Sequence, residues 1–508
     1  MAGGAGAGDS TAGARGGAGV GLRMGQPVGR WTLFAAILGS SLALLDSTVV
    51  NVALPRLGEE LGATVAGLQW TVNGYTLTLA ALILLGGSLG DRYGRRRVFV
   101  IGAAWFAVAS LLCGVSPSIT TLIGARLLQG IGAALLTPGS LALIQASFHP
   151  DDRGRAVGAW SGLTGVAAAI GPLLGGWLVD AAGWRWVFFI NPPLAVLVIV
   201  VASRHVPEST APDPSGRFDM AGAVLAVGGL AGVTYALITT PTKMSPSVLI
   251  AGAAGILALV AFVPVERRVK NPMVSLGLFS SRQFSAVNGV TVWVYAANGL
   301  LFFFVVLQLQ VVAGYSPVIA GLSLLPVTLA LLGLSSRAGD LSQRIGARLP
   351  MTVGTATCAV GALLLAHIGT VSSYPRSVLP GAVLFGVGLG FTVAPLTAAV
   401  LAAVDTGHAG VASGVNNAVA RAAGLLSLAV VPAAVGLTGA AYRDPVLLNH
   451  GFRLAMYACA GLMAIGAALS WTTVSARPCA RPASRFSCPV ASPHLEPNQD
   501  PSAPGTPR

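Results

Sequence analysis

Charged residues are scarce in this sequence. Asp, Glu, Lys and Arg make up 9% of its 508 residues, and 54% of the chain is hydrophobic, whereas soluble domains use about 25% charged residues. With a mean hydropathy of +0.76, the composition excludes an ordinary soluble domain and predicts a polytopic membrane protein. The net charge of +13 does not indicate a nucleic-acid partner, because the basic residues fall in short clusters between apolar runs and are typical of topology signals.

Patterns that mark metal sites, disulfides and catalytic centres are missing as well. The six histidines are dispersed, and the five cysteines show no metal-ligand spacing or disulfide framework. Three of them lie in apolar runs as small hydrophobic residues and two lie near the C-terminus, namely Cys113, Cys358, Cys459, Cys479 and Cys488. No segment between the apolar runs has room for a soluble catalytic domain. We therefore expect no metal, no cofactor and no enzymatic activity.

Fourteen apolar runs of membrane-spanning length fill most of the chain. A helix needs about 20 apolar residues to cross a hydrocarbon core of about 30 Å, and runs of this kind lie near 31–54, 69–90, 97–115, 119–143, 155–179, 185–203, 219–240, 247–265, 283–312, 317–336, 350–370, 377–402, 410–437 and 452–474. They predict an all-α membrane protein with 14 transmembrane helices. The expected divisions are an N-terminal tail at 1–30, a six-helix bundle at 31–203, central loops with two inserted helices at 204–282, a second six-helix bundle at 283–474, and a disordered Pro/Ser/Arg-rich tail at 475–508.

Basic residues are distributed unevenly between the loops. If the N-terminus is cytoplasmic, about 22 Lys and Arg lie in cytoplasmic loops and tails and about six lie outside, while Arg126 and Arg421 lie within helices. Because an even number of spans returns the chain to its starting side, both termini are expected in the cytoplasm. The predicted location is the cytoplasmic membrane of the cell.

One acidic residue lies deep inside an apolar run. Asp46 belongs to the first run, in the segment LLDSTVVN at 44–51. An Asp at the centre of a helix in hydrocarbon costs about 2.5 to 3.5 kcal/mol on insertion scales, so it is a functional-site hypothesis by default. The alternative, a carboxylate at a helix end that reaches the interface, is disfavoured because the same run continues through Ala53. No other Asp or Glu lies deep within a predicted span, so Asp46 is the predicted proton carrier.

Two loops repeat one pattern at equivalent places in the two predicted bundles. Residues 87–96 and residues 339–348 both fit G-x-L-x-x-R-x-G-x-R. Two parallel halves, with a substrate site between them near the bilayer midplane, are an architecture of secondary transporters. The repeat offset carries Asp46 onto Asn298, which predicts an ionisable group in one half and a neutral polar group in the other.

These segments resemble the major facilitator superfamily and, within it, the fourteen-span drug:proton antiporters. The loop at 87–97 resembles the signature between spans two and three of that superfamily. The segment at 45–55, LD followed by NVALP, is similar to the first-span motif of the fourteen-span group, and WRWVFFINP at 184–192 resembles its signature at the start of span six. The resemblance covers about residues 31–474. It implies the major facilitator fold, with two pseudo-symmetric six-helix bundles plus two inserted helices.

Arg126 lies in LIGARLLQG at 122–130, which is similar to the fourth-span motif linked in the family to proton transfer. At 1.5 Å per residue, Asp46 lies roughly 22 Å and Arg126 roughly 20 Å from the inner face. A buried Arg prefers a carboxylate, so we expect the two side chains to approach each other or share a water and to form the proton-coupling site. A static ion pair that only joins helices is the alternative.

The fifth predicted span carries small residues that resemble the antiporter signature G-x8-G-x3-G-P-x2-G-G, with Ala167 in place of one Gly. By this resemblance Gly171, Pro172, Gly175 and Gly176 would form a conformational hinge. Small residues let helices approach closely, and a proline frees backbone groups and permits a bend. Gly-rich packing without hinge motion is the alternative.

The loop after the second span is expected to form a cytoplasmic gate. Gly87, Asp91, Arg92, Gly94 and Arg95 would link neighbouring helices there and would open and close as the halves move. Simple anchoring of positive charge at the cytoplasmic surface is the alternative. The second copy of the loop lacks the acid, so a latch there would be weaker.

Polar and aromatic residues of three spans are candidates for the substrate cavity, which should be mostly apolar with a few polar groups. They are Trp70, Asn73 and Tyr75 in span two, Trp293, Asn298 and Gln308 in span nine, and Asn416 and Asn417 in span thirteen. For the aromatic residues, packing against lipid or the core is an equally good interpretation. Span thirteen, which resembles the corresponding family segment, also contains Arg421, whose partner the sequence does not identify.

The leading hypothesis is a proton-coupled exporter of amphipathic or aromatic molecules, such as drugs or antibiotics, that works by alternating access. Its partners would be a small substrate and the lipid bilayer, with protons as the coupling ion, and it would act as a monomer. Because a second acid inside the spans is lacking, neutral, monovalent or weakly acidic substrates are favoured. The alternatives are a transporter dedicated to one metabolite and, disfavoured by the missing catalytic patterns, a membrane-embedded sensor or enzyme.

Overall fold

The computed structural model describes residues 21–210, 219–269, 272–274, 276–370, 372–404 and 409–476. Within these residues, fourteen helices are long and apolar enough to cross a membrane, as the apolar runs predict. The chain is therefore a multi-pass membrane protein. Residues 1–20 of the predicted N-terminal tail and residues 477–508 of the predicted C-terminal tail lie outside the described residues.

Six spans form each half of the molecule, and two more lie between the halves in sequence. The first half contains α1 (Pro27–Glu60), α2 (Val65–Tyr93), α3 (Arg95–Gly114), α4 (Ile119–Ser147), α5 (Pro150–Ala182), α6 (Trp186–Phe189) and α7 (Asn191–His205). The inserted pair is α8 (Met220–Thr239) and α9 (Pro246–Arg268). The second half contains α10 (Arg282–Leu307), α11 (Pro317–Ser323), α12 (Leu325–Ile345), α13 (Arg348–Leu365), α14 (Leu379–Ala402), α15 (Ala409–Ala434) and α16 (Pro445–Thr473).

Two spans are broken, since α6 with α7 and α11 with α12 each form one crossing. The sequence predicts one continuous helix over 185–203, but α6 is a single turn and α7 begins afresh at Asn191, directly before Pro192 and Pro193. Proline is favoured in the first turn of a helix because it lacks an N–H. We call the face where α1 begins and α16 ends the proximal face, and the face carrying the α1–α2 and α15–α16 connections the distal face.

The two copies of the loop motif end their helices in the same way. Gly94 follows α2 with a φ of +108°, and Gly346 follows α12 with a φ of +86°. Glycine adopts such positive φ values without the steric cost that a Cβ would bring. The second glycine of the motif therefore ends one helix and lets the next begin at Arg95 or Arg348. The repeat in the sequence is also a repeat in the backbone.

The halves meet along three sets of helices, namely α2 with α15, α5 with α11 and α12, and α1 with α10. At the distal face, hydrogen bonds join the halves directly. Arg443 donates to the carbonyl of Gly58 at 2.8 Å, and Tyr442 donates to the carbonyl of Ala63 at 3.1 Å. The distal ends of the two halves are thus in direct hydrogen-bonded contact in this structure.

The inserted helices pack on each other, and α8 also touches both halves through α2 and α15. The sequence shows few polar features in this pair, but the structure places two buried acids at its proximal end. Asp219 accepts from the amide of Gly222 at 2.6 Å, and Glu266 accepts from the amide of Val274 at 3.1 Å. The second oxygens, Oδ2 of Asp219 and Oε1 of Glu266, have no donor among the described residues. Both lie beside Gly222, where a Cβ would be 2.5 and 2.6 Å from them. The proximal end of the inserted pair is therefore held together by acidic side chains that cap α8 and the segment after α9.

Candidate functional site

Asp46 lies on the buried side of α1 and accepts hydrogen bonds from two other helices. It is 0% exposed. Its Oδ2 accepts from Nη1 of Arg126 on α4 at 2.5 Å. Its Oδ1 accepts from Nε2 of Gln129 on α4 at 2.8 Å and from Nδ2 of Asn191 on α7 at 2.9 Å. The carboxylate therefore has three N–H donors, one of them charged, and the two residues that the sequence singles out are in direct contact.

Arg126 is held by α2 as well as by Asp46. Its Nη1 donates to Oε1 of Gln129 at 2.7 Å, and its Nε donates to the carbonyl of Thr71 at 3.1 Å. The guanidinium carbon lies 4.3 Å from the centre of the Tyr75 ring, which is a cation–π geometry. Buried charges are tolerated when they are paired and hydrogen-bonded, and this arginine is both. The side chain is therefore fixed in one position.

A further set of hydrogen bonds holds Asn191 in place. Asn191 Nδ2 also donates to Oγ of Ser110 on α3 at 3.0 Å, and Ser110 donates to the carbonyl of Phe188 on α6 at 2.8 Å. Because α7 begins at Asn191, the break after α6 sets the direction of this amide. The polar cluster links α1, α2, α3, α4 and α7 inside the first half.

Protonation of Asp46 would require its present contacts to change. All three side chains facing the carboxylate here donate N–H groups to it. A protonated carboxyl group carries an O–H donor, so one of these contacts would be lost unless the amide of Gln129 or Asn191 turned its oxygen toward Asp46. Arg126 would also become a buried cation without a counter-ion, which is strongly unfavourable. Proton binding at Asp46 would therefore change how α1 is attached to α4 and α7.

The sequence patterns single out Asp46 and Arg126 but not Gln129 and Asn191. Gln129 is three residues after Arg126, so both face the same side of α4, and this spacing is a signal that could identify it. Asn191 lies within the segment 184–192 that resembles a family signature. Its side-chain direction depends on the break between α6 and α7, which the sequence does not show.

Two of the predicted hinge residues pack on α1. A Cβ on Gly175 would lie 2.8 Å from a methyl carbon of Val49. Gly171, one turn earlier on α5, faces Thr48 with equally little room. Small residues at these positions are therefore required for α5 to approach α1.

The other two pack on α11, across the boundary between the halves. A Cβ on Gly176 would lie 2.5 Å from the carbonyl oxygen of Pro317. The carbonyl of Pro172 in turn lies directly against Gly321 of α11. The backbones of α5 and α11 are thus in contact, and the role of these residues as a hinge stays a prediction.

Of the predicted gate residues, Gly87, Asp91 and Arg92 lie in the last two turns of α2, Gly94 ends that helix and Arg95 begins α3. Asp91 and Arg95 form an ion pair of 2.7 Å. Glu208, which no sequence pattern singles out, accepts from the amides of Arg96 and Arg97 at 3.0 and 3.2 Å, and an acid at a helix N-terminus is favoured by the helix dipole. These contacts join α2, α3 and the segment after α7, and the gate function stays a prediction.

Three of the predicted cavity residues each form a hydrogen bond to a residue of their own half. Tyr75 is buried and donates to the carbonyl of Ala43 at 3.0 Å. Gln308 is also buried and donates to Oδ1 of Asn449 on α16 at 2.7 Å. Asn416 donates to Oγ1 of Thr291 on α10 at 2.8 Å. Their amides and hydroxyls therefore join helices, and the role of these residues in substrate binding stays a prediction.

The remaining predicted cavity residues differ in exposure. Trp70, Trp293 and Asn298 are half-buried, Asn73 is buried and Asn417 is exposed. Asn298 keeps its Oδ1 without a donor, and Asn73 keeps its Nδ2 without an acceptor among the described residues. The role of these residues in substrate binding stays a prediction.

Comparisons with known proteins agree with this architecture. A sequence profile of the family described as Major Facilitator Superfamily matches residues 36–428. The chain is 35% identical over 472 residues to a puromycin resistance protein of Streptomyces alboniger, covering 88% of this chain and 92% of that protein. It is 35% identical over 416 residues to a tetracenomycin C resistance and export protein of Streptomyces glaucescens, covering 81% and 76%. A crystal structure of a peptide transporter in complex with alafosfalin superposes with a TM-score of 0.64 at 15% identity, covering 89% of this chain and 96% of that one, which shows a shared fold.

Proposed function

Because the chain belongs to the major facilitator superfamily and is a transporter rather than an enzyme, we propose that it exports amphipathic drugs or antibiotics in exchange for protons. Two relatives are named for resistance to puromycin and for resistance to and export of tetracenomycin C, and these names support export. The proximal face would lie in the cytoplasm and the protein in the cytoplasmic membrane, as the distribution of basic residues indicates.

The buried contact between Asp46 and Arg126 carries this proposal. An ionisable residue within a membrane marks a functional site by default, and a buried ion pair is in itself a poor stabiliser. Asp46 is the acid around which five spans of the first half are tied together, and its contacts depend on its charge. This is the arrangement that a proton-driven transporter needs.

A path leads from this acid to the other half. Gln310, in the turn that follows α10, donates to the carbonyl of Val52 on α1 at 2.9 Å. Val52 lies less than two turns from Asp46 on the same helix. A proton that releases α1 from α4 and α7 would therefore act on the helix that also contacts the second half. We propose that this change biases which face is open.

The driving force is sufficient for export with one proton per cycle. A charge that crosses 100 mV gains about 2.3 kcal/mol, and one pH unit adds about 1.4 kcal/mol. Their sum of about 3.7 kcal/mol corresponds to roughly 500-fold accumulation of an uncharged substrate.

The test begins with cells that express the chain and are challenged with a panel of antibiotics and dyes. The compound with the largest gain in resistance is then measured in proteoliposomes, where an acidic lumen should drive its uptake. Asp46→Asn is expected to reduce this uptake to the level of empty liposomes while the protein remains folded. Glu59→Gln, which alters an exposed acid on the same helix, should leave it unchanged. Full proton-driven uptake by Asp46→Asn, or no protection against any compound, would contradict the proposal.

A further inference from the structure

The second half contains a cation at mid-membrane depth that has no partner among the described residues. Arg421 lies 12 residues after the first residue of α15, which is roughly 18 Å along the helix. Its side chain forms no hydrogen bond, ion pair or ring contact with any described residue, and its Nε is buried without an acceptor. The side chain as a whole is half-buried, so part of it can be reached.

The helix that carries this guanidinium packs against both halves, since α15 contacts α2 of the first half and α10 of the second. Two phenols on those helices, Tyr75 of α2 and Tyr295 of α10, interact electrostatically with Arg421. Arg421 therefore lies where the two halves meet, and no described residue compensates its positive charge through an ion pair.

A second unsatisfied polar atom lies on α10, which packs against α15. A Cβ on Gly299 would lie 3.2 Å from the Cα of Gly424, one turn after Arg421. Asn298 directly precedes Gly299, and its buried Oδ1 has no donor among the described residues. Neighbouring turns of α15 and α10 thus present a cation and a hydrogen-bond acceptor that no described residue engages.

We propose that Arg421 binds the carboxylate, or a comparable oxyanion, of an amphipathic substrate. An unpaired charge in the membrane interior is costly, and the planar fork of a guanidinium matches a carboxylate in a bidentate manner. Asn298 would accept from a hydroxyl or amide of the same ligand, beside the half-buried ring of Tyr295. This inference rests on the proposed transport function and narrows its substrates to organic anions with an apolar body.

Tyr75 connects this anion site to the proton site. The Tyr75 ring lies 4.3 Å from the guanidinium carbon of Arg126, and the same residue interacts electrostatically with Arg421. The field of Arg421 therefore reaches the side chain that packs on the ion pair of Asp46. An anion bound at Arg421 would change the electrostatic potential at Arg126, so the two sites would be coupled.

The experiment compares acids with their uncharged amides. The purified full-length chain in lipid nanodiscs is screened for thermal stabilisation by a panel of aromatic carboxylic acids, such as 1-naphthylacetic acid, each paired with its amide. At least one acid should stabilise the chain more than its amide does. For that acid, Arg421→Gln should raise the Kd about 10- to 100-fold, as expected for loss of a hydrogen bond to a charged group, with little change for the amide.

Two further variants sharpen the result. Arg421→Lys keeps the charge but loses the fork, so its Kd for the acid should be intermediate. Arg376→Gln removes an exposed arginine before α14 and should change neither Kd. Equal loss for acid and amide would reveal a structural role and overturn the proposal, as would an acid preference that survives Arg421→Gln or a panel in which no acid is preferred.

The outcome can be separated from that of the transport test, because binding is measured without a proton gradient. Acid binding that depends on Arg421 would stand even if proton-driven uptake failed. Proton-driven uptake of compounds without an anionic group, insensitive to Arg421→Gln, would support the exporter and refute the anion site.

Discussion

Arg126 and Arg421 lie at mid-depth in the two halves of the molecule, and their surroundings are opposite. Arg126 contacts a carboxylate, an amide oxygen, a carbonyl and an aromatic ring. Arg421 has no hydrogen bond or ion pair with the described residues, and its Nε is buried without an acceptor. Among the described residues, the first half thus contains a complete charge pair, whereas the second leaves its charge without a partner. This difference is why we assign the proton to one half and the substrate anion to the other.

The largest effect should come from breaking the complete pair. Arg126→Gln leaves Asp46 buried without its cation, and removal of one partner of a buried pair costs about 3–5 kcal/mol. We expect a large fall in the apparent Tm of the purified protein, measured by intrinsic tryptophan fluorescence. The double variant Asp46→Asn/Arg126→Gln should recover much of the loss because no charge is left unpaired. A Tm of Arg126→Gln equal to that of the unaltered chain would mean that the pair is not buried as described.

A smaller loss should follow from removing one neutral donor. Asn191→Ala takes away the hydrogen bond from α7 to Asp46, and a hydrogen bond to a charged group contributes about 1.5–3 kcal/mol. The apparent Tm should fall by less than in Arg126→Gln. Asn417→Ala, which removes an exposed amide in the second half, is the matched control and should leave the Tm unchanged.

The smallest effect should come from removing the unpaired arginine. Arg421→Gln breaks no contact with the described residues, so the stability of the ligand-free protein should change by no more than about 0.5 kcal/mol, as for a site without structural partners. The apparent Tm without ligand tests this. A loss as large as that of Arg126→Gln would show that Arg421 has a structural partner after all, and the contrast between the halves would disappear.

The apolar runs and the repeated loops predict much of the fold. Each long run is one span because a helix in hydrocarbon must satisfy its own backbone groups, and each loop motif ends a helix at a glycine of positive φ. Asp46 and Arg126 are predictable for a related reason. Few charges are placed deep inside spans, so two opposite charges at similar depth have few other partners.

The contacts that the sequence does not predict depend on how helices are rotated and where they break. Asn191 reaches Asp46 only because α7 restarts at that residue. Glu208 caps α3 from a segment more than 100 residues away in sequence, and Asp219 meets Glu266 only once α8 and α9 pack side by side. None of these pairings has a local sequence pattern, since each is set by the packing of distant elements.

The inserted pair makes the two flanks of the molecule unequal. α8 covers the line where α2 meets α15, while on the opposite flank Leu163 and Val166 of α5 and Leu329 of α12 are 52%, 41% and 56% exposed. A compound that diffuses laterally from the acyl chains would meet α8 on one flank. On the other flank it would meet the exposed apolar side chains of α5 and α12. We therefore expect access from the bilayer to be easier at the α5 flank, and a variant that lacks the inserted pair should lose this difference between the flanks.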